Sequence, residues 1–158
     1  MITTITAAEV QEGRYIGGEN VDNLRGSLVL EASLGCVSFA KLKVSGSILA
    51  KTGSGIQAEE GIEAGDGIKA GWGIKAGWGI EAGEDIKAGW GIEAGLSISC
   101  KAILSAGFRL FAGIAIWKKT VNTNEQMISC KELTSGVVTH GVLIEFGKSE
   151  FAESQVTK

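Results

Sequence analysis

The chain has 158 residues, a net charge of −3, 24 glycines, no proline and three cysteines. That much glycine without proline points to ordered tight turns rather than a disordered linker, and no run of about 18 apolar residues offers a membrane span. The start, Met1-Ile-Thr-Thr-Ile-Thr, lacks a basic stretch and a long apolar run, so no secretory signal is expected. Cys36, Cys100 and Cys130 lie far apart and are expected to be free thiols, as in a cytoplasmic protein.

Residues 1–23 read as an N-terminal cap. Thr6-Ala-Ala-Glu9 has the form of a capping box opening a short helix toward Glu12, with Gly13 and the Gly17-Gly18 pair to end it. Such a helix would hide the unpaired strand edges of a first coil. Over 24–55 apolar residues alternate: Leu28, Leu30, Ala32 and Leu34, then Val37 and Phe39, then Leu42, Val44 and Ile48. Period two means strands with one buried face. Gly26, Gly35 and Gly46 mark turns, and the region reads as early, less regular coils of the repeat that becomes strict at residue 56.

From residue 56 a hexad takes over. Aliphatic residues recur as Ile56, Ile62, Ile68, Ile74, Ile80, Ile86, Ile92, Ile98, Leu104, Leu110 and Ile116. Two positions after each comes a small residue, from Ala58 to Ala112, with Cys100 standing in once. Such a repeat is the mark of a solenoid. Each hexad divides into an Ile-x-Ala strand, Ile and Ala inward, and a Gly-x-Gly corner. Glycine is expected there because sharp turns use backbone angles costly for other residues. One continuous strand would bury Glu60, Asp66 and Glu84 unpaired, and the glycine density excludes helix. The expected fold class is therefore all-β, a parallel β-helix over 24–119 with strands about 4.8 Å apart.

Three hexads per coil would sort the corners into a Trp72, Trp90, Phe108 column, a Trp78, Leu96, Ile114 column and an acidic Asp66, Glu84 column, which favours a triangle. Two per coil would pair Lys69 with Glu81 and Glu63 with Lys75. It would thereby avoid stacking Glu63 on Glu81 and Lys69 on Lys87. Beyond residue 95 the outward positions turn apolar. Phe108, Phe111, Ile114 and Trp117 are expected to form an oligomer interface, most simply in a dimer. Residues 126–133 and 137–146 read as strands joined by a Thr134-Ser-Gly136 hairpin. They make a C-terminal β-unit over 120–147 that packs on the apolar flank. Residues 148–158 read as a flexible tail.

Chemistry is sparse. His140 is the one histidine and has no Cys or carboxylate at metal-ligand spacing, so no catalytic residue, metal or cofactor is assigned. There is no GxxxxGK[S/T] phosphate loop, and no inserted loop interrupts the hexads to carry a transferase histidine. The chain is expected not to be an enzyme. Trp72, Trp78 and Trp90, with Asp66, Glu84 and Asp85, are the expected partner-binding residues, because tryptophan is enriched among the residues that dominate interfaces. The alternative is that each ring packs across its neighbour at a corner. Residues 56–97 carry eight acids against three lysines, so direct nucleic-acid binding is not expected. Residues 98–119 carry Lys101, Arg109, Lys118 and Lys119 with no acid, which makes the rod electrically polar along its length.

The Ile-Lys/Glu-Ala-Gly-Trp-Gly hexads are followed by Cys100-Lys-Ala-Ile-Leu-Ser-Ala-Gly-Phe-Arg-Leu-Phe-Ala-Gly-Ile-Ala-Ile-Trp117. Together they resemble a group of phage and bacterial hexad-repeat solenoid proteins that end in a short β tail. More distantly the chain is similar to bactofilins, β-helical proteins that polymerise end to end. The resemblance covers about residues 24–146 and supplies no catalytic residues. It implies a cytoplasmic protein encoded by a phage or mobile element. The expected function is a non-enzymatic, protein-binding solenoid that inhibits a host defence system, in the manner of an anti-CRISPR, by occluding a host protein or ribonucleoprotein complex. The alternative is a bactofilin-like self-assembling structural protein, disfavoured by the two expected caps.

Overall fold

β-Branched residues at the inward positions favour extended backbone, and a strand of three residues can satisfy its backbone only by pairing with the coils on either side. The computed structural model, which describes residues 1–147, is the parallel β-helix that these constraints demand. Ile68 pairs with Ile86, Ile74 with Ile92 and Ile80 with Ile98, so each regular coil is 18 residues and three hexads. The earlier coils belong to the same stack and are slightly longer, as Leu28 pairs with Ile48 and Ile48 with Ile68.

Three faces result. Face A stacks Ile2–Ile5, Ser27–Leu30, Ile48–Ala50, Ile68–Ala70, Ile86–Ala88, the start of Ile103–Ala112 and the start of Glu132–His140. Face B stacks Arg14–Tyr15, Gly35–Phe39, Ser54–Ala58, Ile74–Ala76, Ile92–Ala94 and the ends of those same two long strands. Face C stacks Leu42–Val44, Ile62–Ala64, Ile80–Ala82, Ile98–Cys100, Met127–Cys130 and Val142–Glu145. The core is the two inward columns, from Ile5 and Leu28 up to Ile128 and Cys130, almost wholly removed from solvent.

Glu63 does stack on Glu81, and Lys69 on Lys87. Opposite charges offset both pairs. Lys43 lies 3.8 Å from Glu63, Lys101 lines the same groove as both glutamates, and Asp85 lies 3.8 Å from Lys87. All these groups reach solvent, so the like-charge cost is small.

The reason for the corner glycines differs from the expectation. None of the hexad glycines from Gly61 to Gly107 has a positive φ. Where the first corner position is glycine, close approach requires it. A Cβ on Gly83 would lie 1.9 Å from the Gly65 carbonyl oxygen, on Gly95 1.9 Å from that of Gly77, and on Gly107 1.9 Å from that of Gly89. The second glycine is freer, with a Cβ on Gly61 or Gly67 meeting its nearest carbonyl at 3.3 Å. The sequence agrees, since Asp85, Ser97, Ile103 and Arg109 replace that second glycine. Glu59 and Lys101 stand in place of a first glycine, and at the Lys101 corner the Asp85 carboxylate accepts the Ile103 N–H at 2.9 Å.

Both ends differ from the expected caps. The Thr6–Glu9 contact forms, with Thr6 N–H donating to Glu9 Oε1 at 3.2 Å, but Ala7–Glu9 is one 3-10 turn and not a helix. The β-branched run before it makes a strand, Ile2–Ile5, that already belongs to the solenoid. Glu12 and Gly13 both take positive φ, which sets a tight hairpin between Val10–Gln11 and Arg14–Tyr15. At the other end no Thr134–Gly136 hairpin forms. Met127–Cys130, Glu132–His140 and Val142–Glu145 all pair in parallel and make a last coil. Gly136 and Gly141, with φ of 109° and 123°, carry the chain round successive corners rather than back on itself. The hexad run of inward aliphatic residues ends at Leu110 and not at Ile116, which is 98% exposed because Gly113, at φ 79°, turns the chain outward. The expected tail, 148–158, lies outside the described residues.

Gly83→Ala is expected to lower stability by about 1–3 kcal/mol through overpacking, and Gly61→Ala to change it by less than about 1 kcal/mol. Urea unfolding of the two variants checks this, and equal losses would contradict the close-approach reading.

Candidate functional site

Eighteen-residue stacking brings the aromatic residues to one side. Trp72 and Trp90 stack at the corner between faces A and B, their ring centroids 4.8 Å apart and their planes 8° from parallel. Phe108 follows them, its backbone N–H donating to Trp90 O at 3.2 Å, and is 64% exposed. Trp78 stands at the opposite edge of face B. Six residues separate Trp72 from Trp78, so their Cα atoms are at most about 20 Å apart. The outward column between the two edges is Gln57, Lys75, Glu93 and Phe111. Against the tryptophan stack lies an apolar cleft of about 250 Å³, with Trp72, Trp90, Phe111 and Cys36 in its wall. Gln57, Lys75 and Glu93 supply its polar groups. Burial raises the Cys36 thiol above its ordinary range, partly offset by Lys75, and so disfavours a reactive thiolate there.

The far edge of face B is built by an insertion that the repeat pattern conceals. Residues 113–126 leave the coil at Ala112, and the stack resumes on face C at Met127. The insertion folds back on Trp78. Trp117 sits 6.4 Å from the Trp78 ring, its Nε1–H donates to Gly77 O at 3.3 Å, and Lys118 lies 5.9 Å from its ring centroid. Lys118 pairs with Glu125, which also accepts the Asn122 N–H at 3.2 Å, while Asn122 Oδ1 accepts the Glu125 N–H at 3.0 Å. The expectation of an uninterrupted run is thereby corrected. The signal in the sequence was the change from hexad to Trp117-Lys-Lys-Thr-Val-Asn-Thr-Asn, a polar stretch between two apolar ones.

The expected site residues divide differently from their order in the chain. Trp72, Trp78 and Trp90 flank face B, whereas Asp66, Glu84 and Asp85 form the corner between faces C and A, across the solenoid from it. Phe108, Phe111 and Trp117, assigned to a separate oligomer interface, lie on or beside face B among the tryptophans. Ile114 is half-buried at the root of the insertion. The two expected surfaces are thus largely one. Packing across neighbours does occur between Trp72 and Trp90, and it leaves Trp90 about half exposed, so stacking and display coexist. Charge also sorts by face rather than only along the rod. Lys69 and Lys87 point out of face A, and Glu63 and Glu81 out of face C.

His140 is tied to the scaffold, its Nδ1 donating to Ala112 O at 2.7 Å. Among the described residues no group of three or more His, Cys, Asp or Glu side chains could hold a metal ion. Among the described residues no helix is long and apolar enough to cross a membrane. The chain matches no protein-family model, no curated protein and no solved structure.

Hydrogen bonding to Lys118, then to the Asn122 N–H, holds the Glu125 carboxyl below the usual carboxylate range. A carboxyl depressed on folding stabilises fully above its unfolded pKa, about 4.3, and loses that contribution as pH falls through its lower folded value. Anchoring of the insertion should therefore hold from pH 7 to about 5 and loosen below about 4. Amide exchange over 113–126 checks this. Glu125→Gln should show the loosened exchange already at pH 7.

Proposed function

We propose that the chain is a non-catalytic, protein-binding solenoid that docks its partner on face B. The observation that carries this reading is the convergence of Trp72, Trp78, Trp90, Phe108, Phe111 and Trp117 on one side of the rod, with apolar area left in solvent. Rigid aromatic side chains supply large contact area at low entropic cost, and a scaffold held by backbone stacking keeps them in place. The resemblance to phage hexad-repeat proteins supports a host defence complex as the partner, with occlusion as the mode of inhibition.

Trp72→Ala with Trp90→Ala should cut recovery of the partner from host extract at least about tenfold while circular dichroism stays β-rich. Asp66→Asn with Glu84→Gln, at the remote corner, should change it by less than about twofold. Loss of recovery in the acidic-corner variant instead would overturn the assignment to face B. Phage restriction that is unchanged when the chain is expressed would remove the defence target and leave the docking face standing.

A second reading, end-to-end self-assembly, is supported by the last coil. No described strand lies beyond Glu132–His140 or Val142–Glu145, and Val137, Val142, Ile144 and Phe146 are exposed there. The caps expected to block such stacking are a 3-10 turn and a further coil. Size-exclusion chromatography with light scattering separates the readings. Species that grow with concentration support assembly, and one discrete mass across concentrations contradicts it.

A further inference from the structure

Two of the three cysteines come together in the core. Pairing of Ile98–Cys100 with Met127–Cys130 sets Ile98 opposite Ile128 and Ser99 opposite Ser129, which makes Cys100 and Cys130 the next pair in the same ladder. Both side chains point inward, and both are buried. They occupy the small-residue column of face C, directly above Ala82 and Ala64. In-register neighbours in a parallel ladder have Cα atoms about 4.8 Å apart, inside the ~4.4–6.8 Å span that disulfides occupy.

Val44, Ala64 and Ala82 fill that column in the coils below, so packing alone does not call for two stacked thiols. We propose that Cys100 and Cys130 form a modification site, a reversible disulfide that closes on exposure to hydroperoxide and staples the last coil to the body of the solenoid.

The surroundings assign the order of steps. Hydrogen bonding from the neighbouring Cys130 thiol, more than any other influence, holds the Cys100 thiol below its ordinary range. The Cys130 thiol is pushed up by that same bond, by burial and by the Glu145 and Glu132 carboxylates. Cys100 is therefore the attacking thiolate. Its sulfur takes the terminal oxygen of the hydroperoxide, the O–O bond breaks, and the released oxygen leaves as water or alcohol. The Cys130 sulfur then displaces hydroxide from the Cys100 sulfenic acid, forming the S–S bond, and the Cys130 proton completes a second water. Two thiols are oxidised by two electrons and one peroxide is reduced. Peroxide reaches the pair by opening of Glu132–His140 and Val142–Glu145, the strands over Met127–Cys130 that have described strands on one side only. The bond would close the segment between 100 and 130, which includes the insertion over Trp78, and it restricts how far the last coil can open.

The test uses the full chain carrying Cys36→Ser, which removes the one exposed thiol and with it disulfide-linked dimers. After treatment with hydrogen peroxide and quenching, the protein is denatured without reductant and alkylated. The expected result is no alkylated thiol, an intact mass lighter by two hydrogens, and a linked peptide containing Cys100 and Cys130 that dithiothreitol separates. Amides of 127–145 should exchange at least about tenfold more slowly in the oxidised form. Two alkylated thiols after treatment would overturn the proposal, as would oxygen adducts on either cysteine without a linked peptide. In the Cys130→Ser variant a stable Cys100 oxygen adduct is expected in place of the bridge. An untouched Cys100 there would overturn the assignment of the attacking thiol.

Discussion

Backbone touching backbone at the corners is the constraint on which the rest of this molecule depends. The Gly65 carbonyl oxygen occupies the space where a Cβ on Gly83 would stand, and the pattern recurs from Gly77 to Gly95 and from Gly89 to Gly107. A side chain at Gly83, Gly95 or Gly107 would force the coils apart at that corner. The ladder bonds, such as Ile74 N–H to Gly91 O at 3.1 Å, would then lengthen together. Coil height is thus fixed at the corners, and the inward Ile and Ala columns fill the space that this height leaves. Once coils are locked at 18 residues, every outward residue has determined neighbours.

The geometry of the proposed docking face is set by that register. Trp72 meets Trp90 because they are one coil apart, and Lys75 meets Glu93 for the same reason. Trp72, Trp78 and Trp90 are interspersed along the chain with Asp66, Glu84 and Asp85 yet occupy different corners from them, because successive corners are one hexad apart and not one coil. A partner docked on face B, as proposed, would contact aromatic side chains from three successive coils and would not meet Asp66 or Glu84. Insertion 113–126 adds Trp117 to the same side by leaving the coil at Gly113 and folding back on Trp78.

The hexads were legible because an inward aliphatic every six residues has no other economical burial. The triangular coil was legible because three per coil sorts the corner residues by type. Three features escaped for identifiable reasons. Ile2–Ile5 looked like the approach to a helix because Thr6 and Glu9 form a capping contact, but a capping contact does not by itself supply an apolar helical face. The last coil was hidden because Val138, His140, Val142 and Ile144 share a parity that Gly141 inverts, so that Val138 and Leu143 are the inward pair. The insertion was hidden because Ile114 and Ile116 continue the apolar rhythm of the repeat while leaving its geometry. The corner glycines were expected, but for a backbone angle rather than for the carbonyl of the neighbouring coil.

Whether face B is the docking surface can be measured by placing a photo-crosslinking amino acid at one outward position per face. Lys75 lies at the centre of face B, Lys69 on face A and Glu81 on face C. Irradiated in host cells, the chain with the probe at Lys75 should yield a discrete crosslinked protein, and the chains with probes at Lys69 and Glu81 should not. Equal crosslinking from all three faces, or from face A or C alone, would contradict the central claim that one aromatic-flanked face of this solenoid does the binding.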